Sequence, residues 1–120
     1  MTVEQISQAS NFAAGAALVV LFLAFVVHLS EWYVAVRAPK LVAVGAETAP
    51  TESADEPEFT TADRLAGVGI SLTVLGTILM VVATVTRGIA AERVPLGNMY
   101  EFGLSGTTVA LVVYLAMVKT

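Results

Sequence analysis

Few residues on this chain can carry chemistry. His28 is the only histidine, and there is no cysteine among the 120 residues. Without thiols there are no disulfides, thiolate metal sites, iron–sulfur clusters or thioether-linked cofactors. An imidazole in an apolar span is a candidate axial ligand to a haem iron, because ionisable groups there are costly and commonly functional. One such ligand makes an incomplete site. Glu31 and Trp32 lie a turn away on the same helical face. A hydrogen-bonded histidine near the membrane interface accounts for those neighbours as well. The second concentrated set is Arg87, Arg93, Asn98 and Glu101, whose types suit helix ends and anion contacts. No Ser/His/Asp set, catalytic carboxylate pair, phosphate-binding glycine loop or divalent-metal cluster is visible, so no catalytic residue is assigned.

The elements that hold these residues are set by composition. Hydrophobic residues make up 57% of the chain and charged residues 13%, with a mean hydropathy of +0.81. Soluble domains carry roughly 25% charged residues, so lipid is the natural solvent here. The net charge of −4 leaves no basic stripe for nucleic acid. Three apolar runs, 12–29, 65–86 and 102–118, are long enough to cross a bilayer. They are continuously apolar and do not alternate, which excludes barrel strands. The expectation is an all-α membrane protein with three transmembrane helices. It divides into an N-terminal tail and first span (1–36), a flexible acidic cytoplasmic loop (37–64), a second span (65–86), an outer loop (87–101) and a third span (102–120). Residues 1–11 carry Glu4 and no Lys or Arg, unlike the basic start of a signal peptide.

Orientation follows from the basic residues at the span ends. Arg37, Lys40, Arg64 and Lys119 belong to one side, and Arg87 and Arg93 to the other. Four against two puts the N-terminus outside and the C-terminus in the cytoplasm. Trp32, Tyr33, Tyr100 and Phe102 take the aromatic positions of the interfaces. In the acidic segment Thr60 and Asp63 have the spacing of a capping box for the second helix, and only Phe59 offers an aromatic anchor for a docking role. Gly69, Thr73, Gly76 and Met80 form one stripe of the second span, with Ala13 and Ala17 on the first, so close helix packing is expected there. Three helices do not bury grooves on several faces. Further transmembrane helices, from a longer chain or another subunit, are therefore expected partners.

The second loop carries the most specific pattern. Arg87 is followed by Pro95, Leu96, Asn98, Tyr100 and Glu101 in the order Pro-Leu-x-Asn-x-Tyr-Glu. This pattern resembles the signature of the CcsA/ResC family, called CcsB in actinobacteria, which handles haem in system II biogenesis of c-type cytochromes. The likeness covers the whole chain as the N-terminal third of a longer member. Many members have a Gly-His pair before the loop proline, where this chain has Glu92-Arg93-Val94. The family's tryptophan-rich haem-presenting segment belongs to a later part of its fold.

The resemblance implies a multi-pass protein of a bacterial plasma membrane, working beside a ResB-type partner. Such a protein moves haem outward and presents it to apocytochrome c as part of a haem lyase. In that setting His28 is a haem ligand candidate, and Arg87 and Arg93 are candidates for contacts with haem propionates. The haem belongs to the parent, and this chain need not bind it alone. Read without the family, Asn98 and Glu101 have N-cap and N3 spacing, Pro95 stiffens the approach, and Arg87 with Gly88 suits a helix C-terminus. A well-capped turn between two spans then suffices. A small accessory subunit of a larger membrane complex is the corresponding functional alternative. A small multidrug exporter fits poorly, since it needs an acid in mid-span.

Overall fold

The computed structural model describes residues 1–45 and 61–120, with the backbone alone over 38–45. The described residues form α1 (Val3–Gly45), α2 (Thr61–Ala91) and α3 (Met99–Lys119). All three contain segments long and apolar enough to cross a membrane: Val3–Arg37, Thr61–Ala91 and Met99–Lys119. The all-helical, three-span expectation therefore holds. Residues 46–60 lie outside the description, and with them the acidic segment around Glu52 and the capping residue Thr60. Asp63 stands in the first turn of α2.

Each helix outruns its apolar run, because a charge ends a hydrophobic stretch without ending a hydrogen-bonded helix. α1 starts early through a reciprocal cap. The Gln5 amide donates to Thr2 Oγ1 (3.3 Å), and the Thr2 amide donates to Gln5 Oε1 (3.0 Å). At its other end the helix continues through Pro39 to Gly45, where a loop was expected from residue 37. Proline keeps a helical φ and forfeits a single i−4 bond, so helical backbone survives it. α2 runs past residue 86 to Ala91, so Arg87 and Gly88 are helical and do not end it.

α2 is the middle helix. Its buried residues are Gly69, Thr73, Gly76, Thr77, Met80 and Ala83, the stripe read from the sequence plus two more positions. Ser10, Ala17 and Ala24 of α1 are buried against it at seven-residue spacing, the seam of a close helix pair. The missing side chains are what admit this approach. A Cβ on Gly76 would come within 2.6 Å of Leu21 Cδ2, and one on Gly69 within 2.7 Å of His28 Cε1. Polar bonds pin the register. Ser10 Oγ donates to the Ala83 carbonyl (2.8 Å), and the Thr84 and Thr108 hydroxyls pair across α2 and α3 (2.8 Å). Most large apolar side chains, Phe12, Phe22 and Phe25 among them, point outward. Water would penalise such a surface, while lipid accepts it.

Candidate functional site

The α2–α3 turn brings the sequence's polar set together. α2 ends in a Schellman arrangement. The Glu92 amide donates to the Ile89 carbonyl, the Arg93 amide donates to the Gly88 carbonyl (3.2 and 3.3 Å), and Glu92 takes a positive φ of 51°. The left-handed position thus falls on a glutamate and not on Gly88. Next, the Leu96 amide donates to the Val94 carbonyl (2.8 Å), a tight turn centred on Pro95. Ser105 Oγ of α3 donates to the Pro95 carbonyl (2.8 Å). Asn98 then caps α3, its Oδ1 accepting the Glu101 amide at 2.8 Å, as its spacing predicts.

Glu101 is the centre of the site. It is 1% exposed and its carboxylate is fully engaged. Oε1 accepts from Arg87 Nε at 3.3 Å, and Oε2 lies 3.5 Å from an Arg93 Nη. Oε2 also accepts the Gly97 amide at 2.9 Å, one residue earlier than the cap residue's own amide in a capping box. The Arg93 guanidinium lies over Gly97, in the space that a Cβ there would take. Arg87 spans further: its Nη1 donates to Ser7 Oγ of α1 at 3.1 Å, and its guanidinium lies 5.6 Å from the Tyr100 ring centroid. The Tyr100 hydroxyl donates to Asn11 Oδ1 of α1 at 3.4 Å. All three helices therefore meet at one polar cluster. Two guanidiniums face one carboxylate, which leaves one positive charge. That charge is displayed mainly by Arg93, 55% exposed, and less by Arg87, 24% exposed.

His28 lies toward the other end of the α1–α2 seam. Its Nδ1 is 3.1 Å from Glu31 Oε2, and its Nε2 is 3.5 Å from the Thr73 hydroxyl. The ring rests on Gly69. Trp32, on the same face, is exposed. The hydrogen-bonded reading of His28 matches these contacts. Both ring nitrogens are thus engaged, Nδ1 by Glu31 and Nε2 by Thr73. Among the described residues no group of three or more His, Cys, Asp or Glu side chains is arranged to hold a metal ion.

The structure thus joins Arg87, Arg93, Asn98, Tyr100 and Glu101 and leaves His28 apart from them. Pro95 contributes a carbonyl, and Leu96 is exposed on the loop. Sequence reasoning missed Ser7, Ser10 and Asn11. Their signal is i, i+3, i+4 spacing on the N-terminal extension of the same stripe as Ala13 and Ala17. Chemically the cluster can fasten helix ends and present a cation to an anion. The chain matches no protein-family model, no curated protein and no solved structure.

Proposed function

We propose that the chain is the N-terminal, three-helix part of a CcsA/ResC-type protein of a bacterial plasma membrane. Its parent exports haem and presents it, beside a ResB-type partner, to apocytochrome c. The observation that supports this reading is the convergence of Arg87, Asn98, Tyr100 and Glu101, the residues of the resemblance, on one cluster at one end of the bundle. In this reading the N-terminus and the α2–α3 turn face outward. The turn forms a rigid outer rim beside the haem path, and the cation it displays there is Arg93, 55% exposed. Haem is cargo held by later parts of the parent. His28 serves the α1–α2 seam.

A second reading is a small accessory subunit of a larger membrane complex. It is favoured by the inward engagement of Arg87, Glu101 and His28, which all hold helices to each other. Arg87→Lys separates the two in cells carrying the intact gene. A lysine keeps the charge but cannot serve Glu101, Ser7 and the Tyr100 ring together. Holocytochrome c yield, read by haem stain at matched protein level, should fall on haem handling. Undiminished yield assigns the chain to the accessory role.

A further inference from the structure

The groove between α1 and α3 has a polar head and an apolar body. We infer that it holds one anionic phospholipid, its phosphate on Arg93 and an acyl chain along Leu18 and Gly103. Ser7, Asn11, Ala14, Leu18 and Leu21 follow one another at i+3 and i+4 steps, hence along one side of α1. At the head of that line a polar cleft of about 260 Å³ is lined by Ser7, Arg87, Arg93, Asn98 and Glu101. Further along, an apolar cleft of about 340 Å³ is lined by Ala14, Leu18, Leu21, Gly103, Leu104 and Thr107. Tyr100 stands between them. Its hydroxyl bonds Asn11 and it also lines the apolar cleft.

Charge and the order of polar and apolar lining select the occupant. The head carries one surplus positive charge. The Arg93 guanidinium makes a single ion pair and, among the described residues, no side-chain hydrogen bond, so its fork can take a phosphate. Glu92 is exposed beside it but does not line the cleft. Exposed Val94, Leu96 and Met99 flank the head, as suits a loop at headgroup depth. The exposed guanidinium suits a lipid phosphate, and the apolar lining beyond it suits an acyl chain.

The test is native mass spectrometry of the full chain in mild detergent, titrated with dioleoyl phosphatidylglycerol or dioleoyl phosphatidylcholine. The expected result is about fivefold tighter retention of the anionic lipid, which corresponds to about 1 kcal/mol for one interfacial cation. Arg93→Gln should abolish that preference. Gly103→Leu adds a side chain where a Cβ meets nothing within 4 Å, and it should weaken binding of both lipids at unchanged helicity. Equal retention of the two lipids by the wild-type chain overturns the proposal, as does a preference that survives Arg93→Gln. Unaltered binding to Gly103→Leu removes the acyl-chain site. If inorganic phosphate raises the melting midpoint as much as phosphatidylglycerol does, the site reads a soluble anion and the lipid assignment fails.

Discussion

Burying Glu101 as an anion is expensive unless every oxygen lone pair finds a donor. Here the Arg87 guanidinium and the Gly97 amide donate to it and the Arg93 cation lies 3.5 Å away, and the start of α3 adds the favourable end of a helix dipole. Removing the carboxylate leaves both donors without their acceptor. Losing one partner of a buried pair costs about 3–5 kcal/mol. Arg87 keeps 24% exposure and can rehydrate, so for Glu101→Ala we expect a loss nearer about 2–3 kcal/mol. Asn98→Ala removes one cap and should cost about 1 kcal/mol, while Asn98→Ser and Asn98→Asp should be nearly silent. Unfolding by SDS titration in mixed micelles, followed by circular dichroism, measures these differences. Equal losses from Glu101→Ala and Asn98→Ala would reduce Glu101 to a cap. The Asn98 cap was legible in the sequence because both of its partners lie within one turn. The burial of Glu101 was not legible, since it depends on Arg87 reaching from another helix and on Ser7 waiting on a third.

Between helices, the contacts are made by what is missing. Gly76 gives Leu21 its place and Gly69 gives His28 its place, so the α1–α2 seam closes on backbone and small side chains. Gly76→Ala forces Leu21 out of its rotamer and should cost about 1–3 kcal/mol. Gly15 and Gly106 are helical and meet nothing within 4 Å of a built Cβ. Alanine there should be neutral or stabilising by about 0.5–1 kcal/mol, because it restricts the unfolded chain and favours helix. The same SDS titration ranks the three variants. A Gly76→Ala variant as stable as Gly106→Ala would mean that the seam is looser than these distances describe. This stripe was readable because its i, i+3, i+4, i+7 spacing is a property of one helix alone. The helix ends were not. Hydropathy marks where lipid stops, whereas the Thr2–Gln5 cap and the Glu92 left-handed turn mark where the backbone stops. Those two boundaries differ by several residues at α1 and α2.

At the scale of the molecule, an extent of 69 Å along its longest axis exceeds a hydrocarbon core of about 30 Å, so the helix ends stand in or beyond the headgroups. α2 alone, 31 residues, reaches about 46 Å. Its Arg87 end joins the start of α1 and the start of α3 through Ser7 and Glu101, so these three ends share one side. Arg37, Arg64 and Lys119 belong to the opposite ends of the same three helices, and Lys40 adds to them. In the proposed orientation this side, with its excess of Lys and Arg, faces the cytoplasm. A cysteine-free chain makes the test direct. Val94→Cys, on the exposed turn, should react with an impermeant maleimide in intact cells. Thr120→Cys, at the C-cap of α3, should react only after the membrane is opened. The reverse pattern would place the Arg93 cluster in the cytoplasm, away from the compartment where apocytochrome c receives haem. The proposed haem-handling role would then fall, while the lipid groove, which needs only an anionic leaflet, would stand.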